Sequence, residues 1–136
     1  MKQLHTLLFV VITLFFATSS FAQDTKDGKD AKEKGEITTL IKDLATLTDM
    51  ADTCGEQMNY YGKKALEGEV CKKFDKTFHT KWPSRAALQD LVLDYSARLH
   101  RGEYVCDTCE VMLQRVDELR ITVTYYLDYM DFVKEF

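Results

Sequence analysis

Apolar residues recur every three or four positions along two long stretches of this chain, which is the spacing of one face of an α-helix. The first stretch has its apolar positions at Ile37, Leu40, Leu44, Leu47, Ala51, Cys54, Met58, Tyr61 and Ala65. The second reaches almost to the last residue, with Val105, Cys109, Met112, Val116, Leu119, Val123, Tyr126, Met130 and Val133. Each stretch predicts a long amphipathic helix.

Two shorter segments with helical spacing lie between the long ones. The first carries Val70, Cys71, Phe74 and Phe78, and the second carries Leu88, Leu91, Val92, Tyr95 and Leu99. Pro83, the only proline, separates them, because proline disfavours helix at the residue before it and fits a helix's first turn. No segment alternates as a strand does. The sequence predicts an all-α fold, a small bundle of about four helices.

The N-terminal third of the chain divides at two boundaries. Residues 1–22 have a basic start, an apolar run and small residues at Ser20 and Ala22, the pattern of a secretory signal peptide cleaved before Gln23. Residues 23–35 alternate lysines with acids and hold one apolar residue, so we predict a flexible charged leader. Residues 36–136 form the single helical domain. The predicted location is secreted or periplasmic.

Charge limits the classes of partner. The whole chain has a formal net charge of −4, and loss of residues 1–22 removes one lysine and no acid, which leaves −5. A nucleic-acid-binding protein gathers basic residues because phosphate contacts supply most of its affinity. We therefore expect no nucleic-acid partner.

All four cysteines, Cys54, Cys71, Cys106 and Cys109, follow the signal peptide. An even number of cysteines in a small secreted chain predicts disulfides, here two that staple the bundle. If the helices alternate in direction, the four cysteines meet at one pole, and their depths favour Cys71 with Cys106 and Cys54 with Cys109. The crossed pairing of Cys54 with Cys106 stays open. A local bridge from Cys106 to Cys109 leaves Cys54 for Cys71, which these directions make awkward.

The CxxC of Cys106 and Cys109 has other known uses. Covalent haem attachment needs a histidine where Glu110 stands, and structural zinc prefers two close cysteine pairs, so we expect no cofactor and no metal. A thiol–disulfide redox protein also places CxxC at a helix start, and it stays an alternative although no strands accompany the motif here. His79, His100 and the many carboxylates fit structural or solvated roles. We find no catalytic constellation and expect a non-catalytic protein.

The stretch from Tyr104 to Leu113 resembles the first helix of saposin-like domains, which opens with CxxC followed by apolar residues at helical spacing. The resemblance covers the CxxC-led last helix only. It implies nested bridges from Cys106 and Cys109 to a distant helix, and a small lipid- or membrane-interacting module. Lipid binding is therefore one alternative for function.

A second apolar stripe accompanies the main one on the last helix. It begins at Ile121 and continues as four rings, which we call the aromatic face: Tyr125, Tyr129, Phe132 and Phe136. A helix that is apolar on two sides needs neighbours on both. One interpretation is that Phe74, Phe78 and Trp82 cover this face. The other is a binding surface for a protein partner or a second copy, since tyrosine combines apolar area with a polar tip.

Overall fold

The computed structural model describes the backbone of residues 2–136 and the side chains of residues 28–136. Its helices are α1 (Lys2–Tyr61), a 3₁₀ segment (Gly62–Glu67), α2 (Glu69–Lys81), α3 (Arg85–His100) and α4 (Cys109–Lys134). Within residues 2–136 there is no β-strand. The predicted all-α bundle of about four helices with two disulfides is confirmed. The predicted signal peptide, residues 1–22, lies outside the residues whose side chains are described.

Most positions of the two predicted apolar stripes, which we call seams, form one core, but Tyr61 and Val105 are exposed. Leu113 and Leu127 are buried on α4 beside the predicted Met112 and Tyr126, which are half-buried. On α1 the buried seam positions are Ile37, Leu40, Leu44, Leu47, Ala51, Cys54 and Met58. On α4 the buried positions are Cys109, Leu113, Val116, Leu119, Val123, Leu127, Met130 and Val133. α1 packs mainly against α4 and α2, and α3 packs against α4. Burial of these apolar side chains is the main stabilising contribution, because each fully buried one is worth roughly 1.5–3 kcal/mol.

Helices α1 and α4 run in the same direction. Near the start of α4, the Val105 amide donates to Asp30 of α1 over 2.9 Å. Near its end, the Tyr129 hydroxyl donates to Asn59 of α1 over 2.9 Å. Low residue numbers on α1 therefore lie beside low numbers on α4, and high numbers beside high numbers.

Helices α2 and α3 both run opposite to α1. Lys81, at the end of α2, pairs with Asp43, and further along the chain Tyr95 of α3 donates to Glu36 over 2.7 Å. The chain therefore continues in one direction through the junction, where Trp82 and Ser84 have extended backbones on either side of Pro83. The alternation of helix direction on which the predicted disulfide pairing depended does not occur here. Proline ends α2, but the short junction of residues 82–84 does not reverse the chain.

The predicted disulfide pairing is wrong as well. The bridges are Cys54–Cys71, with Cα atoms 4.8 Å apart, and Cys106–Cys109, with Cα atoms 5.3 Å apart. Because α4 begins beside Asp30, the CxxC lies far from Cys54 along α1. The 24 positions between Asp30 and Cys54 correspond to about 36 Å of helix. The nested bridges that the saposin-like resemblance implied are therefore absent.

Cys54 meets Cys71 because α1 ends earlier than its apolar repeat suggests. The helix stops at Tyr61, and Gly62 adopts a φ of +61°, a left-handed conformation that glycine takes without strain. The 3₁₀ segment then packs back along α1 and contacts α4 as well. As a result α2 begins level with Cys54, and Cys71 in its first turn faces that residue.

Residues 28–35, which we predicted to be part of a flexible leader, belong to α1. Glu33 is 8% exposed and pairs with Arg98 of α3 over 2.8 Å, while Asp30 accepts the Val105 amide. The prediction relied on the lack of apolar residues. What orders this segment is instead the hydrogen bonding of its carboxylates, because charge-assisted hydrogen bonds are about twice as strong as neutral ones.

Candidate functional site: the aromatic face of α4

The aromatic face lies on the side of α4 that points away from the core. Relative exposures are 62% for Tyr125, 58% for Phe132 and 82% for Phe136, and Tyr129 is half-buried. Ile121, one turn before Tyr125, is 53% exposed. The described residues therefore leave most of the stripe predicted from sequence exposed.

The four rings form a continuous row. Ring centroids are 6.4 Å apart for Tyr125 and Tyr129 and 6.3 Å apart for Tyr129 and Phe132, both pairs being nearly parallel. Phe132 and Phe136 follow at 4.7 Å. Residues four and three apart on a helix lie above one another, which explains the contacts.

No aromatic residue of α2 covers this face. Phe74 and Phe78 are fully buried on α2, which packs against α1, and Trp82 lines a groove together with Leu40 and Tyr95. The interpretation that they wrap the end of α4 is wrong. They belong to the hydrophobic core.

A close helix contact fixes the position of the aromatic face against α1. A Cβ atom at Gly55 would clash with the ring of Tyr126, so α1 approaches α4 here as only glycine allows. Burial, followed by a hydrogen bond to Asp52, raises the pKa of the Tyr126 hydroxyl. Tyr129, one turn further along, is held by Asn59. The helical spacing of the sequence does not identify Tyr126 as the neighbour of Gly55.

Two acids beside the aromatic face, Asp128 and Asp131, form ion pairs with basic residues of the same chain. Arg85 of α3 places Nη2 2.7 Å from Asp131 and Nε 2.9 Å from Asp128. Lys134 lies 3.5 Å from the other oxygen of Asp131. These exposed pairs contribute little to stability. Because of these pairs, nearby positive charges compensate the two carboxylates along this edge of the aromatic face.

A polar cluster joins α1, α3 and the loop before α4, and sequence reasoning missed it. Arg98 lies 5.0 Å from the ring centroid of Tyr95 and 5.8 Å from that of Tyr104, while pairing with Glu33. The buried Tyr104 hydroxyl donates to the Tyr95 carbonyl oxygen over 2.7 Å. Burial, and then the hydrogen bond to Glu36, raise the pKa of Tyr95 well above its usual value. The cluster anchors the start of α4.

The CxxC lies beside this cluster and differs from the other bridge. Cys109 is fully buried, whereas Cys106 is half-buried in the turn before α4. Cys54 and Cys71 are both fully buried. The two bridges therefore differ in the access that an external thiol has to their sulfur atoms.

Two grooves lie between helices. The larger, with a volume of about 330 Å³, runs between α3 and α4; its floor includes Val92 and Leu113, and Glu110 and Asp117 lie at its edge. The smaller, about 260 Å³, lies between Trp82 and α1. Among the side chains of residues 28–136, no group of three or more His, Cys, Asp or Glu could hold a metal ion. None of the described helices is long and apolar enough to cross a membrane.

Comparison with known proteins gives no relative for this chain. It has no significant match to any protein-family model, to any curated protein or to any solved structure. The functional proposal is therefore based on the geometry of the aromatic face.

Proposed function

We propose that this chain is a secreted, non-catalytic binding protein that contacts another protein through the aromatic face of α4. The observation that carries the proposal is the row of four packed rings, three of them more than half exposed, on a helix whose opposite side is fully used by the core. Exposed apolar patches of this kind, bordered by polar residues, are typical of protein–protein contact sites.

The chemistry of the rings supports a protein partner. Tyrosine and phenylalanine are enriched at the centres of protein interfaces, and charged residues are depleted there. The centre of this face holds no charge, and its ion pairs lie at the edge. The N-terminal pattern of residues 1–22 and the pairing of all four cysteines support an oxidising compartment outside the cytosol.

Site-specific photo-crosslinking tests the proposal. A photoreactive phenylalanine analogue replaces Phe132 in protein expressed with its full N-terminus and collected after export. We expect a covalent protein adduct at Phe132 because its ring would be buried against the partner. If the signal peptide is removed during export, the chain begins at Gln23. N-terminal sequencing of the same preparation measures this.

Leu93 is the matched control, because it is also 58% exposed and apolar but lies on α3 away from the aromatic face. The analogue at Leu93 should give no adduct. Equal labelling at both positions, or none at Phe132, would refute the assignment of this face.

A further inference from the structure

We infer that the partner of the aromatic face is a second copy of this chain, which packs its own α4 face against the first in a two-fold symmetric dimer. This inference rests on the proposed function. Three features of the face carry it: its area, the spacing of its rings and the state of the charges at its edge.

The exposed apolar area of the aromatic face matches that of a dimer interface of standard size. The four rings and Ile121 expose on the order of 500 Å² of apolar surface, given that an aromatic side chain offers roughly 150–250 Å². About 60% of a typical interface is apolar, so a patch with this apolar centre corresponds to about 800 Å² per partner. A standard interface buries that area on each side, and a small ligand would leave most of the row exposed.

The ring spacing fits another helix of the same kind. Tyr125, Tyr129, Phe132 and Phe136 follow steps of four, three and four, the repeat by which one helix inserts its side chains between those of another. In a dimer with a two-fold axis the same patch of α4 is used by both copies, so each helix supplies side chains with this spacing. An antiparallel arrangement of the two helices also sets their dipoles favourably.

The charges at the edge of the aromatic face allow two copies of the chain to approach each other. Two copies of an acidic chain would place Asp128 and Asp131 near their equivalents, and bare carboxylates there would repel. Arg85 and Lys134 already compensate both carboxylates within each chain. Screening at physiological salt, with a Debye length of about 8 Å, weakens what repulsion is left from the net charge.

Sedimentation equilibrium of the oxidised, mature protein over a range of concentrations tests the inference. We expect the weight-average mass to rise with concentration from one chain to two. The Tyr125→Ser/Phe132→Ser variant should raise the dissociation constant at least about tenfold, because truncating rings at the centre of an interface removes most of its affinity. Phe136→Ser, at the end of the chain, gives a second variant with little risk to folding.

Four outcomes separate the possibilities. A wild-type mass of one chain at every concentration would overturn the inference, and so would a dimer that both variants leave unchanged. Circular dichroism confirms that each variant is folded, and Leu93→Ser is the control that should dimerise normally. A Phe132 adduct to a different protein, combined with a monomeric mass, would overturn the second copy and leave the proposed function standing. Absence of any adduct would remove both.

Discussion

Replacing Phe78 by alanine is expected to lower the free energy of unfolding by about 3–5 kcal/mol, the usual cost of removing a buried phenylalanine ring. Phe78 is fully buried on α2, where its ring lies 5.5 Å from that of Trp82. Its loss leaves a cavity that the surrounding α1 and α2 side chains fill only in part. Urea unfolding followed by circular dichroism measures the change.

Phe132→Ala is the matched control, since it removes the same ring from a position that is 58% exposed. Its cost should be below about 1 kcal/mol, because little buried area is lost. The comparison is made at low protein concentration, so that dimerisation adds nothing to the measured stability. Equal losses for the two variants would place Phe132 in the core and contradict the account of α4.

The bridge between Cys54 and Cys71 should contribute more stability than the bridge between Cys106 and Cys109. Cys54→Ala/Cys71→Ala opens a loop with a sequence separation of 17 and leaves space at two fully buried positions. We expect a loss of about 3–5 kcal/mol, from chain entropy and from lost packing. Thermal unfolding under non-reducing conditions measures it.

The corresponding Cys106→Ala/Cys109→Ala variant is the control. Its loop has a separation of only three, and Cys106 is half-buried, so the expected loss is about 1–2 kcal/mol. A larger loss for this pair than for Cys54 and Cys71 would show that the start of α4 depends on its bridge. The polar cluster around Arg98 would then not be its main anchor.

Periodicity predicted the helices well because the steps of three and four reflect burial directly. The buried positions of α1 from Ile37 to Met58 follow the sequence pattern. A seam reports which side of a helix is apolar. It does not report which neighbour covers that side or in which direction the neighbour runs.

The errors arose where a single local feature sets the path of the chain. The extended backbone around Pro83 carries α2 into α3 without reversal, and Gly62 ends α1 before its apolar repeat ends. Both change which cysteines meet, and neither alters the hydrophobic pattern. The contact of Glu33 with Arg98 joins positions 65 residues apart. Nothing in the local sequence distinguishes these two charges from their solvated neighbours.

Peptide mapping under non-reducing conditions tests the central claim, that α1 and α4 run in the same direction and that the CxxC therefore lies far from Cys54 and Cys71. Trypsin separates the cysteines into peptides 43–63, 65–72 and 102–115. The account predicts that 43–63 is linked to 65–72 and that 102–115 carries an internal bridge. A link from 102–115 to either of the other two would place the start of α4 beside Cys54 and Cys71, and would contradict the account.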